Sequence, residues 1–514
     1  MRSTVCAGGL LVAMLAASSA IHASPGVALD DPILEELSRL RALGLLPPYT
    51  GGLRPLSERR VRELLRAAGE EIDRVARLEG LWVHPLERAW LHLAAIREQA
   101  RPYSTPLRPR DLAGVLALSC EHEQGRPCGD GIALVTELDS SVGYGPHVSA
   151  SVRLRAVAGT EGYDEEVEVD RAYVHAEVGP AAVEVGRDVF VLGPSARTQL
   201  AWGDHAPPLD HIRLSTARPF DLVGQGGSTL RGNLVYVLGR LRAPQTYPGN
   251  LVSIGRWQLD IANNVEVGMA QMLQLAGEGA PSIGLWDFIA EHFRRRDLSA
   301  GPSDSSNRRI SFDVALRVAR LAGARLYYEL AFEDMRVKYF HHAVRRDADH
   351  LVGVDLAAIG PGGRHGLVVE LQKTGVRSQE HTPRVTGFTS AGRVAGSPLG
   401  PDALALYGGG RIELGWATLA PWAEIARLLS STYMFVVDGP IRQVSEGADE
   451  HRYRAGGRLR LPLPHGLRVE TEAMFEHVTT AGFEAGARQD NVGVMATVVW
   501  QPGGALGYSR LRGW

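Results

Sequence analysis

The sequence predicts an all-β transmembrane barrel of about 18 antiparallel strands with a small N-terminal helical region. Three observations carry this. The first 23 residues of the 514-residue chain have the form of an export leader. No later stretch is apolar and long enough to cross a membrane as a helix. From residue 131 onward, strand-length segments alternate apolar and polar residues with period two. The clearest case is residues 307–335. Ile310, Phe312, Val314, Leu316 and Val318 face one way, and Ser311, Asp313, Ala315, Arg317 and Ala319 the other. After a break at 320–323, Leu326, Tyr328, Leu330 and Phe332 alternate with Arg325, Tyr327, Glu329 and Glu333. Successive side chains on a strand point to opposite faces, so this is a hairpin with one apolar and one charged face.

The leader (1–23) begins with Arg2, continues through an apolar stretch at 7–17 and ends in small residues, with cleavage expected after Ala20 or Ala23. Cys6 precedes the apolar stretch, which argues against a lipoprotein. Cys120 and Cys128 then remain, and in an oxidising compartment such a pair invites a disulfide closing a short loop. A metal site using His122 is the alternative, unsupported by any other ligand cluster. The net charge of -3 implies no strong steering of nucleic acid.

Residues 24–112 read as a periplasmic helical region. Pro32 opens a helix whose apolar face is Ile33, Leu34, Leu37, Leu40 and Leu43, and Gly44 ends it. Ser57 is an N-cap for a second helix with Val61, Leu64 and Leu65 on one side. A third is expected over 85–99, with Leu86, Ala89, Trp90 and Leu93 buried.

Residues 113–514 are the expected barrel. Besides the central hairpin, strands are expected at 132–142, 148–158, 165–178, 182–191, 230–241, 254–261, 265–275, 351–359, 367–372, 405–414, 416–428, 432–437, 453–461, 467–478, 492–500 and 507–514. The segment 165–178 loses phase at 170–172 and needs a bulge there. Closed barrels satisfy every backbone group within the membrane. The apolar face would meet lipid and the charged face would line the lumen. The aromatic content of 7% is low for two aromatic girdles, which keeps a secreted propeller or solenoid as the rival architecture. Long connections at 192–208, 276–306, 375–403 and 438–451 call for a functional reason, and a short helix is expected within 279–293.

Residues 186–222, with Gly186-Arg187, Gly193-Pro194 and the run Pro207–Ser215, together with Asn307, Ser311-Phe312-Asp313, Tyr328-Glu329 and Glu333-Asp334, resemble the capsule assembly protein Wzi family. The helical segments DPILEELSRLRALGLL and RPLSERRVRELL resemble that family's amino-terminal part. The family usually carries Trp before Gly-Pro, where this chain has Leu192. The resemblance implies an 18-stranded barrel in the outer membrane of a Gram-negative bacterium, with a helical portion on the periplasmic side. It also implies a lectin-like role in holding capsular polysaccharide.

The residues themselves argue against catalysis. Neither GxSxG nor HExxH occurs, and Ser195 has no evident partner in the sequence. Glu329 and Glu333 share a strand face about 13 Å apart, against about 5–9.5 Å for glycosidase carboxyls. His341-His342 are adjacent and do not share a strand face. No metal or cofactor is implied, and an envelope hydrolase acting on glycans is the weakest reading. Glycan binding needs carboxylate and guanidinium hydrogen bonds with an aromatic platform, and Arg pairs bidentately with the carboxylates of an acidic polysaccharide. The candidates are Arg187, Asp188, Trp202, Asp210 and Arg213 around the family-like loop. On the charged face they are Asp313, Arg317, Arg325, Glu329 and Glu333, with Trp286 and Tyr407 as further aromatics. A polymer would be held by many weak contacts. The expected partners are surface or capsular polysaccharide, outer-membrane lipid and the barrel-assembly machinery, with the chain a monomer and no nucleic acid bound. A porin passing small solutes is the alternative, and whether the lumen is open decides between the two. A structural envelope role without a ligand is a third possibility.

Overall fold

The computed structural model describes residues 32–46, 53–79, 109–117, 131–144, 147–160, 165–223, 230–262, 264–293, 306–333, 340–360, 365–380, 384–434, 441–464 and 467–500. The leader and its cleavage site, the Cys120–Cys128 pair, the expected helix at 85–99 and the expected strand at 507–514 lie outside the described residues. No helix among the described residues is long and apolar enough to cross a membrane.

Helix α1 spans Pro32–Ala42, starting on a proline whose missing N–H is no loss there. Gly44 follows with φ of +77°, where glycine carries no Cβ penalty. Helix α2 spans Glu58–Glu79. Its cap is the expected one, with the Arg60 N–H donating to Ser57 Oγ at 3.3 Å. Leu34, Leu37 and Leu40 bury against Leu64, Ala68 and Ile72.

The wall begins with β1 (Pro109–Ala117), β2 (Ala133–Tyr144), β3 (Val148–Gly159), β4 (Glu166–Val178), β5 (Ala181–Asp188), β6 (Leu209–Thr216) and β7 (Phe220–Val223). It continues with β8 (Leu230–Arg240), β9 (Leu251–Ile261), β10 (Val265–Leu275), β11 (Asn307–Val318), β12 (Ala324–Glu333) and β13 (Asp349–Ile359). It ends with β14 (His365–Lys373), β15 (Ala403–Glu413), β16 (Thr418–Leu428), β17 (Glu450–Pro462), β18 (Leu467–Thr479) and β19 (Arg488–Trp500). All pairings are antiparallel, and β19 pairs with β1 from Leu112↔Trp500 to Ala117↔Met495, closing the barrel. β6 and β7 run one after the other along β8, so the nineteen described segments form a wall eighteen strands around. Closure excludes the propeller and solenoid.

The alternation has the expected phase. Phe312, Val314, Leu316 and Leu326 point out, while Ser311, Asp313, Ala315, Arg317 and Glu329 are buried inside. The outer surface continues around the wall through Leu154, Val185, Ile212, Trp257, Val352, Val369, Leu406, Phe475 and Val498. A contiguous apolar exterior of this extent marks a lipid-facing surface. The phase break in β4 is a bulge: Arg153 pairs with Arg171 and Leu154 with Val169, so Asp170 is the extra residue. The bulge turns Asp170 into the lumen, 2.7 Å from Arg155.

Three expectations are corrected. The strand expected at 182–191 leaves the wall after Asp188, because Val189–Leu192 is apolar without alternation and packs into the interior. The expected strand list has nothing at Leu209–Thr216, which is a wall strand. The described part of the segment expected at 432–437, Thr432–Met434, pairs with Arg442–Ser445 outside the barrel sheet.

The turns 179–180, 262–264, 319–323 and 414–417 lie at one end of the barrel, and the connections 189–208, 276–306, 374–402 and 429–449 at the other. α1 crosses the short-turn end. Arg41 pairs with Asp260 at 2.9 Å and with Glu266, Glu36 with Arg411 at 2.9 Å, and Glu35 with Arg460 at 3.2 Å. α3 (Leu285–Phe293) is the expected short helix and lies on the outside of the wall. His292 Nε2 is 2.7 Å from Ser253 Oγ, and Gln271 Nε2 donates to the His292 carbonyl at 3.1 Å.

Candidate functional site

The connection after β5 folds back into the lumen. Its apolar start gives Phe190, whose ring stacks on Trp202 at 5.4 Å and 15°. The Leu192 N–H donates to the Trp202 carbonyl at 2.8 Å. Val191 and Leu192 also pair with Arg54 and Leu53, so this hairpin meets the segment between α1 and α2. The hairpin presses against the wall at Gly193 (φ +145°), where a Cβ would lie 2.9 Å from the Gln199 side chain and 3.1 Å from Glu329.

Wall residues hold the hairpin by its backbone. Glu329 accepts the N–H groups of Leu200 (3.3 Å) and Ala201 (2.9 Å). Arg309 donates to the Leu200 carbonyl at 2.9 Å, to Glu333 at 2.6 Å and to Asp349. Glu370 accepts from Ser195 Oγ at 2.7 Å and from the Ala196 N–H at 3.0 Å. Arg325 donates to the Pro194 carbonyl at 2.6 Å. Charge-assisted bonds of this kind are about twice as strong as neutral ones, so the hairpin is a fixed stopper. Ser195 therefore has a partner, and its role is to pin the hairpin.

Between the stopper, the 374–402 connection, α1 and the wall from β11 to β19 lies a chamber of about 1180 Å³. It reaches from Leu34 and Glu35 of α1 to Gln489 and Asp490 at the long-loop end of β19. Tyr407 and Trp422 lie on its wall, ring centroids 6.3 Å apart and 30° from parallel. Both rings cross glycines. A Cβ on Gly456 would lie 2.8 Å from Trp422, and one on Gly409 3.0 Å from the Tyr407 ring. Arg197 of the stopper covers Tyr407 at 4.4 Å from its centroid and pairs with Glu424. Glu424, Arg454, Glu476 and Asn491 follow one another across β16 to β19. Arg454 Nε donates to Glu476 at 2.5 Å, and Asn491 donates to Glu476 at 2.7 Å. One step along, Arg458 donates to Glu472 at 2.9 Å, and Arg460 to Glu470 at 3.0 Å. Among the described lining residues, eleven arginines accompany seven carboxylates. No group of three or more metal-ligating side chains occurs among the described residues.

The family model for the capsule assembly protein Wzi matches residues 115–415, more than half of the chain. The chain belongs to the Wzi family. Among solved structures it is similar to Wzi of Escherichia coli, described as a carbohydrate-binding β-barrel outer-membrane protein involved in group 1 capsule assembly. The identity is 14% and the TM-score 0.69, over 94% of this chain and 99% of that one. It is also similar to OprD of Pseudomonas aeruginosa (9% identity, TM-score 0.44, 77% of this chain and 93% of that one) and to OccK3 of the same organism (13%, 0.42, 76% and 93%). These two likenesses are too weak to carry an argument. No curated protein matches the sequence. The closed wall, its apolar exterior and the Wzi-family match make this an outer-membrane β-barrel.

In this Wzi-family chain the residues singled out by sequence fall in several different settings. Asp313, Glu329 and Glu333 are sealed in the packed half: Asp313 takes a bidentate pair from Arg256 (2.8 and 3.1 Å), Glu329 holds the stopper, and Glu333 accepts from Arg309 and from the Gln379 N–H. Arg317 joins Arg41, Asp260 and Glu266 at the short-turn end, and Arg325 borders the chamber. Asp188 is buried, Arg213 donates to Glu184 at 2.6 Å, and Trp202 is buried against Phe190, so it offers no open face. Arg187 and Asp210 pair at 2.5 Å on the outward face, in line with Val185 and Ile212. Trp286 sits on α3, outside the wall and 80% exposed. Tyr407, expected at a loop edge, is in mid-strand and faces the chamber. Sequence reasoning passed over Trp422 and the arginines of β17. Their signal was present in EHRYRAGGRLRLP, where every second residue from Glu450 is Glu, Arg, Arg, Gly, Arg, Arg.

Proposed function

We propose that this chain is a non-catalytic outer-membrane protein that retains surface polysaccharide or assists its assembly. The observation that carries this reading is the stopper. Hairpin 189–208 is fixed in the lumen by Glu329, Arg309, Glu370 and Arg325, and the space left over is a chamber of arginine and aromatic side chains. A lumen half filled by a fixed hairpin favours holding ligands over passing them. Outer-membrane barrels have short periplasmic turns and longer extracellular loops, so α1 and α2 face the periplasm and the stopper enters from outside. Escherichia coli Wzi, described as carbohydrate-binding, supports the same reading. Among the sequence-selected residues, Arg325 contacts the glycan in the chamber, while Asp313, Arg317, Glu329 and Glu333 hold the lumen in shape. Arg187, Asp188, Trp202, Asp210 and Arg213 support the wall and the root of the stopper. Outer-membrane lipid and the barrel-assembly machinery are the other partners, the chain acts as a monomer, and Cys120 and Cys128 form a disulfide in the β1–β2 connection.

The test is a planar bilayer recording on purified protein, paired with retention of the producing cell's polysaccharide on immobilised protein. Insertion without steady open-pore current, together with retention, is expected. Steady current without retention would turn the reading to a porin, and neither current nor retention would leave a structural envelope role.

A further inference from the structure

We infer that the chamber is the seat of the glycan and that it selects sugars carrying carboxylates, seated on the Trp422 indole. This rests on the proposed polysaccharide-binding role and adds the position and charge of the ligand. The shelf is built into the wall: Trp422 lies flat only because Gly456 opposite has no Cβ. A flat aromatic face in a polar chamber suits the apolar C–H face of a sugar ring. The volume of about 1180 Å³ exceeds the roughly 300–1000 Å³ that encloses a drug-sized ligand, so it accommodates a short oligosaccharide.

The charge follows from which groups face inward. Glu424 is 1% exposed, whereas the Arg197 and Arg454 side chains it holds are 22% and 20% exposed. Glu476 is 10% exposed behind Arg454. The carboxylates therefore sit back against the wall and the guanidiniums stand in front. A guanidinium carries five N–H donors, so the pairing of Arg197 with Glu424 does not exhaust it. The planar fork matches a second carboxylate, that of the ligand. Arg197 beside Tyr407 and Arg454 beside Trp422 bracket the shelf. The chamber's lining runs to Gln489 and Asn491 at the long-loop end, and α1 crosses the opposite mouth, so entry is from the long-loop end.

Calorimetry on the full-length protein in nanodiscs tests this, with tetragalacturonate as the probe and its carboxyl-reduced tetrasaccharide as the control. Tetragalacturonate is expected to bind at least tenfold more tightly, and the difference is expected to shrink in high salt. Trp422→Ala and Arg197→Gln should each weaken tetragalacturonate binding about tenfold or more, with Trp422→Phe restoring most of it. If Trp422→Ala does not insert, Arg197→Gln on the stopper carries the same test. Equal affinity for the two probes, or binding untouched by both substitutions, would overturn the inference and leave the proposed function standing with its contacts on the extracellular loops. Binding of neither probe while the cell's own polysaccharide is retained would also overturn it. Failure of that retention as well would remove the function on which it rests.

Discussion

Arg309 on β11 and Arg458 on β17 are both lumenal strand arginines beside glutamates of the next strand, yet they live in different surroundings. Arg309 is 1% exposed, enclosed by Glu333, Asp349 and the Leu200 carbonyl of the stopper. Arg458 pairs with Glu472 at 2.7 Å with 26% of its side chain open to the chamber. The same alternating pattern thus yields an enclosed charge on one side of the barrel and a partly solvent-exposed one on the other. What differs is whether hairpin 189–208 lies against that stretch of wall. A charge under the stopper is an anchor, and a charge facing the chamber is a contact surface.

The largest expected effect breaks this contrast directly. Arg309→Ala strands two buried carboxylates, which in buried pairs costs about 3–5 kcal/mol. Arg458→Ala, in a partly solvated pair, is expected to cost no more than about 1 kcal/mol. Denaturant unfolding of both variants in detergent measures this, and similar losses would erase the distinction between the halves.

A smaller effect is expected at Glu329. Glu329→Gln keeps the shape but replaces one of the two acceptor oxygens by an N–H₂ group, so one of the Leu200 and Ala201 N–H groups is left without its acceptor, at a cost of about 1–3 kcal/mol. The stopper should loosen, and bilayer recordings should show intermittent current absent from the unaltered protein. A silent bilayer with unchanged stability would mean that the hairpin is held by its apolar packing around Phe190 and Trp202.

The smallest effect sharpens the description of the chamber wall. Gly456→Ala places a Cβ 2.7 Å from the Ala473 carbonyl and 2.8 Å from Trp422, an overpacking worth about 1–3 kcal/mol. Gly408→Ala on β15 of the same sheet meets nothing within 4 Å and should be close to neutral. Near-ultraviolet circular dichroism and unfolding midpoints compare the two. An unperturbed aromatic signal in Gly456→Ala would remove the argument that the glycine is there for the indole.

Much of the wall was legible because barrel strands obey a strictly local rule. The phase of β11 and β12, the need for a bulge in β4 and the N-cap at Ser57 all follow from residues a few positions apart. The exit from the wall at Asp188 was not legible. Val189–Leu192 has the composition of a strand, and its departure depends on a pocket made by Trp202, Leu209 and Val237. Asp313, Glu329 and Glu333 face the lumen, as their phase predicts, but they are buried there and do not line the chamber. They looked like ligand contacts because nothing in the sequence shows that Arg256 encloses Asp313, that the stopper's N–H groups meet Glu329, or that Arg309 and the Gln379 N–H meet Glu333. Trp422 was passed over because its value depends on Gly456, which is its neighbour only through the β16–β17 register.

By itself, then, the sequence determined the barrel, its apolar exterior and charged interior, because period-two patterning fixes which face of each strand meets lipid. Only the tertiary structure decided which interior charges are spent holding hairpin 189–208 and which face an accessible chamber. That division depends on backbone N–H groups of Leu200 and Ala201 reaching Glu329, more than a hundred residues away in the chain.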